Sequence, residues 1–310
     1  MKIYNNLSDF RATNPVVTIG TFDGVHLGHL KVLDRLKELA LKAGGESVVF
    51  TFHPHPRVVV KPDEQSLRLL TTLDEKIERL QTAGIDHLIV FPFTTEFAAL
   101  SYDSFVEQVL VNQIKTHTLV VGYDHKFGKD REGGFEYLKA CAEQYRFEIE
   151  KLDVLLLDEA NISSTRIRSA LELGLVDMAS SLLGYNYRLS GTVVEGQRLG
   201  RTIGFPTANI VASDVNKLIP GYGVYAVRVQ TDGNRYEGML NIGTRPTFNN
   251  NADKRSIEVN IFDFNGDIYG AELRIFFIAK IREEQKFPDK NALIAQLHID
   301  RLVAQKLLSS

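Results

Sequence analysis

The sequence predicts a parallel α/β domain, then an antiparallel β-barrel closed by a terminal helix. Three observations carry that expectation. Residues 1–184 alternate short apolar runs with amphipathic helical runs, the pattern of a parallel sheet covered on both faces. From residue 185 the periodicity falls to two, with Asp232-Gly233 and Asn265-Gly266 placed as hairpin turns. A last helical run begins at Pro288, where proline suits a first helical position. A chain of 310 residues holds one large or two ordinary domains, and the change of grammar divides it into 1–184 and 185–310.

The elements follow in order. "PVVTIG" reads as a buried strand. "LGHLKVLDRLKELALKAGG" is a helix with Leu30, Leu33, Leu36 and Ala40 on one stripe, stopped by Gly44 and Gly45. "SVVFTF" is a strand, and "TLDEKIERLQTAG" opens with Thr72 and Glu75 at capping-box spacing. "HLIVFPF" is a strand, "SYDSFVEQVLVNQI" a helix and "HTLVVGY" a strand. "GGFEYLKACAEQY" is a helix, "EIEKLDVLLL" a strand, and "SSTRIRSALELG" and "DMASSLLG" are helices. Then "NYRLSGTVVEG", "GVYAVRVQTDGNRYEGMLNIG" and "SIEVNIFDFNGDIYGAELRIFFIAKIRE" alternate with period two. No internal repeat or low-complexity segment interrupts them.

Composition excludes several classes. The formal charge is −3 with no long basic run, which argues against a nucleic-acid partner. The one cysteine, Cys141, lies in a helical pattern and has no intramolecular disulfide partner. "MKIYNNLSDFRATN" lacks the apolar core of a signal peptide, and no apolar run reaches the ~18 residues of a membrane helix. A cytoplasmic protein with no membrane partner is expected, with room for a weak homo-oligomer.

The chemistry concentrates at "VVTIGTFDGVHLGHLKVLDRL", a strand-to-helix corner rich in glycine and histidine. Ligands of open parallel sheets bind beyond the carboxyl ends of the strands. Glycines let backbone approach a polyphosphate, and a helix N-terminus offers free N–H groups. His26 and His29 are three apart, so at a helix start both rings can face one side and donate to phosphate oxygens. The corner is neither a G-K-[ST] loop nor G-x-G-x-x-G. Zinc would need a third ligand, and none is evident.

"GTFDGVHLGH" resembles the H-x-G-H nucleotidyltransferases, and in its longer form the bacterial bifunctional riboflavin kinase/FMN adenylyltransferase (FAD synthetase) family. The resemblance continues through "ISSTRIR", where Ser163 or Ser164 suits an N-cap and Arg166 and Arg168 follow in the first turns. It includes "VGYDHKFGKDREGG", with Asp124, Phe127 and Gly128 at matching positions and His125 in place of the aromatic residue usual there. It implies a Rossmann-like first domain binding nucleotide at Gly20, Phe22, Asp23, Gly24, Asp124, Ser163, Ser164, Arg166 and Arg168. Catalysis would use His26 and His29. Phe52, Pro54 and Pro56 of "TFHPHPRVVVKP", with Phe127, would take the isoalloxazine ring, while Phe97 and Phe105 read as core. The implied reaction is in-line attack by the FMN phosphate on the α-phosphorus of ATP, releasing pyrophosphate, with Mg²⁺.

In the second half, "GQRLGRTIGFPTANI" resembles the riboflavin kinase G-F-P-T-A-N signature. Gly200 and Gly204 permit a tight loop over phosphates. Thr207 and Asn209, two apart, face one side in extended chain and offer the hard oxygens that suit Mg²⁺. Glu258 in "SIEVNIFDFNGDIYG" faces opposite Ile257 and Val259, and the resemblance makes it general base on the riboflavin 5′-hydroxyl. "LNIGTRPTF" and "PGYGVYAV" add loops of the kind that surround a ligand. The expected small-molecule partners are riboflavin, FMN, FAD and ATP. Two other readings stay open here. In one, only the kinase step survives on a scaffold. In the other, the chain is a flavin- or nucleotide-binding regulator or a β-barrel RNA binder.

Overall fold

The apolar run at Val16 becomes a strand near the middle of a six-stranded sheet. A computed structural model describes residues 1–60, 67–122, 134–152, 162–196, 199–244 and 255–309. The chain divides into two units, Met1–Ser164 and Thr165–Ser310.

The first unit runs β1 (Lys2–Tyr4), β2 (Val16–Ile19), α1 (Leu27–Lys42), β3 (Ser47–His53), α2 (Pro56–Val60), α3 (Leu73–Thr82) and β4 (His87–Pro92). It continues with α4 (Thr95–Ala98), α5 (Tyr102–Ser104), a π-helix Phe105–Ile114, β5 (Thr118–Val121), α6 (Phe135–Tyr145) and β6 (Glu148–Lys151). The strand order is β1-β4-β3-β2-β5-β6, and every pair is parallel. The chain steps one way from β2 to β3 and the other way to β5. The carboxyl end of β2 is therefore a topological switch point, where such sheets leave a crevice.

Both sheet faces are covered. Leu33 and Leu36 of α1 and Leu80 of α3 pack with Val16, Val49 and Leu88 on one side. Val106 and Leu110 of the π-helix and Leu138 and Cys141 of α6 pack with Val17, Val48 and Phe50 on the other. The capping box expected at Thr72 and Glu75 is present in both directions. The strand read over 148–157 ends at Lys151, and residues 153–161 lie outside those described.

The second unit takes in α7 (Ser164–Glu172) beyond its first residue, then α8 (Val176–Leu183), β7 (Arg188–Val194) and β8 (Ala208–Ala212). There follow β9 (Gly223–Thr231), β10 (Asn234–Thr244), β11 (Arg255–Ile261), β12 (Glu272–Arg282) and α9 (Lys290–Leu308). The strands close into an antiparallel barrel, β10-β11-β8-β7-β12-β9. Register places Leu189, Val193, Ile210, Tyr225, Val227, Leu240, Val259, Ile275 and Phe277 on one shared face. All nine are buried and fill the barrel. The alternate residues face outward, where Met239 and Ala226 pack beneath Ala304 and Leu308 of α9.

Asp232-Gly233 forms the two-residue hairpin turn, with φ of 47° and 77° and Thr231 paired to Asn234. Asn265-Gly266 does not. Closure gives β11 the neighbours β8 and β10, and β12 the neighbours β7 and β9, so residues 262–271 are a crossover. Pro288 also sits two positions before the first helical residue, Lys290. Asp289 is the N-cap of α9, its side chain accepting from the Ala292 N–H at 2.8 Å, and Pro288 precedes it.

Candidate active sites

The corner after β2 turns in very little space. Phe22, Gly24 and Val25 all have positive φ, at 47°, 87° and 36°. For a β-branched residue such as Val25 that is strained backbone, which persists only where the surroundings hold it, and such strain clusters at functional sites. Here the hold is the Asp23 carboxylate. It is buried and accepts from the Leu70 N–H (3.0 and 3.1 Å), the Thr71 N–H (3.1 Å) and the Thr71 hydroxyl (3.3 Å). The Gly24 N–H donates to the same hydroxyl at 3.1 Å. Ser164, first residue of α7, donates from its hydroxyl to the Asp23 carbonyl at 3.0 Å. "FDG" and "ISS", 141 residues apart in sequence, thus meet in the first unit.

His26 is the N-cap of α1, its Nδ1 accepting from the His29 N–H at 3.3 Å. The two rings stack with centroids 3.6 Å apart at 13°. Gly28 makes room for that stack, since a Cβ there would lie 3.2 Å from the His26 ring. Burial holds the His29 pKa well below the ordinary histidine value, with the charges of His26 and Lys76 adding to the effect. His29 is therefore a neutral imidazole near pH 7, fit to hydrogen-bond a phosphate but not to carry charge to it. Its Nδ1 is buried and finds no hydrogen-bond partner among the described residues. Gly20 lies against the Phe22 ring.

Lys76 was not read from the sequence as a site residue. It lies on α3, 6 % exposed, and burial pushes its pKa down to about 8 against the raising effect of Asp23. The signal was available: Leu73, Ile77 and Leu80 form the apolar stripe of α3, and Lys76 sits within it.

Phe52 joins a cluster of rings at the ends of β3 and β4, with centroids 5.3 Å from Phe50, 5.3 Å from Phe93 and 5.8 Å from Phe97. Phe105 is buried in the core, and Phe97 packs against that core half-buried. Pro54 follows His53 through a cis peptide, and Pro56 starts α2. Ser163 immediately precedes α7, whereas Arg166, exposed, and Arg168, half-buried, lie beyond the boundary between the units. Asp124, His125, Phe127 and Gly128 lie outside the described residues.

In the second unit a cavity of about 280 Å³ lies on the outer barrel face, beneath the 199–207 loop and α9. Gly200, Thr207, Asn241, Glu258, Asn260, Arg282 and Glu284 are among its lining residues. The loop closes through the Phe205 N–H, which donates to the Gly200 carbonyl at 2.9 Å, and a Cβ on Gly200 would collide with the Phe205 carbonyl. Gly204 turns the chain at φ 81°. Asn260 Nδ2 donates to the Pro206 carbonyl at 2.6 Å, holding "FPT" against β11. The Thr207 hydroxyl donates to Glu258 Oε2 at 3.5 Å. Glu258 stands directly opposite Asn209 of β8 and Asn241 of β10, so the three share the outward face.

Hydroxyl, carboxamide and carboxylate oxygens at one place are the donor set a hard divalent cation takes. Among the described residues no group of three or more His, Cys, Asp or Glu could hold a metal ion. Asn241 could have been found from the sequence only with the β10–β11 register in hand. Arg282 and Asp300 were also missed. Asp300 is fully buried, and Arg282 grips it through Nε (2.9 and 3.1 Å) and Nη2 (2.7 Å), joining β12 to α9.

Comparison with known proteins fits this layout. Residues 10–166 match the FAD synthetase family model, and residues 183–308 match the riboflavin kinase model. A bifunctional riboflavin kinase/FMN adenylyltransferase of Buchnera aphidicola is 37% identical over 309 residues, covering 99% of this chain and 98% of its own. One from Listeria monocytogenes is 42% identical over 287 residues, covering 93% and 90%. A crystal structure described as a macrolide-efflux protein from Streptococcus pneumoniae superposes with a TM-score of 0.86 at 32% identity, over 98% of both chains. Among the described residues no helix is long and apolar enough to cross a membrane.

Proposed function

This chain belongs to the family of bifunctional riboflavin kinase/FMN adenylyltransferases, and on that premise we propose how its two sites divide the work. It phosphorylates riboflavin to FMN with ATP, and it adenylylates FMN to FAD. We assign the adenylyl step to residues 1–184 and the kinase step to residues 185–310, in the cytoplasm.

In adenylyl transfer an FMN phosphate oxygen bonds to the α-phosphorus of ATP as the bond to the β-phosphate oxygen breaks and pyrophosphate leaves. The attacking oxygen is already ionised, so no protein base is required. His26 and His29 donate to phosphate oxygens at the α1 N-terminus. Gly20, Phe22 and Gly24 shape the turn, and Asp23 locks it. Ser163 and Ser164 stand at the start of α7, whose Arg166 and Arg168 we assign to phosphate, as we do Asp124. Phe52, Pro54, Pro56 and Phe127 take the flavin ring.

In the kinase step the riboflavin 5′-hydroxyl bonds to the γ-phosphorus, its proton passes to Glu258, and ADP leaves. Gly200 and Gly204 let the loop close on ATP. Thr207 and Asn209 would hold Mg²⁺, which would supply neutralisation of phosphate charge there.

The observation that carries this reading is the meeting of Thr207, Asn209 and Glu258 on one outward face, beside a cavity, in a chain that also builds the stacked histidine corner. Incubating pure protein with riboflavin, ATP and Mg²⁺ and separating the flavins by chromatography tests it. FMN followed by FAD is expected. Riboflavin recovered unchanged would refute the reading.

A further inference from the structure

A lysine inside a protein is costly unless something answers its charge. Lys76 is 6 % exposed, on the inward stripe of α3. No hydrogen bond or ion pair of its ammonium is found among the described residues. Its charge is felt by two groups of the β2–α1 corner, Asp23 and His29. Asp23 answers that charge in part, and its oxygens also accept from Leu70 and Thr71. At this corner His29 Nδ1 is a buried atom without a partner among the described residues, and the neighbouring helix carries a buried lysine.

A cation and an imidazole beside free backbone N–H groups are together complementary to a polyanion carrying several oxygens. The bonds from Leu70 and Thr71 to Asp23 hold the start of α3, the helix that carries Lys76, to the corner. Resting on the assignment of adenylyl transfer to this corner, we propose that Lys76 is a phosphate-binding residue of that site, donating to the part of the ATP triphosphate that departs as pyrophosphate.

A packing role and a binding role separate in the full-length Lys76→Met variant. Methionine matches the length of the lysine stem, fills the same space and removes the unanswered charge. The proposal expects its melting midpoint to equal or exceed the wild-type value. It expects kcat/KM for ATP in FAD synthesis to fall at least tenfold. In the reverse reaction, FAD plus pyrophosphate, the KM for pyrophosphate should rise at least tenfold while that for FAD stays within about twofold. Lys76→Arg, which keeps the charge, should recover part of the pyrophosphate affinity. Riboflavin phosphorylation should not change in either variant. An unchanged pyrophosphate KM in Lys76→Met, or a lost activity that tracks a lowered midpoint, would overturn the proposal. A wild-type protein that makes FMN but no FAD would instead remove the reading of the corner on which it rests.

Discussion

The β2–α1 corner and the outer barrel face, the two places proposed above to use ATP, differ in their side chains. The β2–α1 corner gathers donors, the stacked His26 and His29 at an α-helix N-terminus, to which the proposal above adds the buried Lys76. Its carboxylate, Asp23, is turned into the backbone and holds the loop. The outer barrel face does the reverse. Two carboxylates, Glu258 and Glu284, line its cavity, and Glu258 accepts from the Thr207 hydroxyl. On the proposed assignment the acceptors explain the contrast. A phosphate monoester attacks already ionised and needs only charge management, whereas a hydroxyl must lose a proton as its bond forms.

The sharpest way to break the comparison is Glu258→Gln, which keeps size and hydrogen bonding but cannot take a proton. Kinase turnover should fall by roughly 10²–10⁴-fold, the range for a positioned general base. Riboflavin and ATP binding should hold within a few-fold, because the base acts mainly in the transition state. FMN supplied directly should still become FAD. Near-normal kinase turnover would leave Glu258 an ordinary strand residue.

His29→Ala is the matching test in the other unit. Loss of a preorganised donor costs ~2.7–4 kcal/mol, about 10²–10³ in rate. FAD synthesis should slow by that factor with riboflavin phosphorylation unchanged, both followed by chromatography of the flavins. Equal loss of both activities would mean that the corner serves the whole chain's folding and not one reaction.

The division of labour was legible where local chemistry decides structure. The Thr72–Glu75 capping box, the Asp232-Gly233 turn and the α1 stripe each depend on residues a few positions apart, and each formed as read. Asn265-Gly266 has the same turn chemistry but joins strands that barrel closure keeps apart, a long-range fact no local pattern holds. The site was legible in the same uneven way. His26 and His29 sit three apart in sequence and meet by helix geometry. Asn241 meets Glu258 only through register, and Lys76 meets the corner only because Asp23 reaches residues 70–71. A lysine on an apolar stripe was the visible clue.

The boundary between the halves gives a smaller effect. Helices α7 and α8 bury Ile167, Leu171, Val176 and Leu183 within the second unit, and the Gly221 N–H donates to the Leu171 carbonyl at 2.8 Å. Each large apolar side chain gains ~1.5–3 kcal/mol on burial. A fragment starting at Tyr185 should convert riboflavin to FMN and never to FAD. Its melting midpoint should lie ~5 °C or more below that of a fragment starting at Thr165, followed by circular dichroism. Equal midpoints would make the two helices a passive connection.

The smallest effect separates the sites by pH. Burial depresses the His29 pKa in the folded chain, while in the unfolded chain it returns to about 6.5. Between those values the unfolded state binds more protons, so stability rises with pH across the window. The contribution is complete above about 6.5 and is lost as pH falls toward the depressed folded value. Glu46, whose pKa is lowered first by the Thr13 N–H, adds a separate loss below the ordinary carboxylate range. Subtraction removes that background. Melting midpoints of wild type and His29→Gln are compared from pH 7.5 down to 5; the wild-type midpoint should fall relative to the variant's as acid is added, because glutamine has no proton to gain. The relative fall should begin near pH 6.5, before carboxylates titrate. Parallel curves across that range would show that His29 charges freely in the folded chain. The corner would then offer phosphate a cation where the comparison requires a neutral donor beside Lys76.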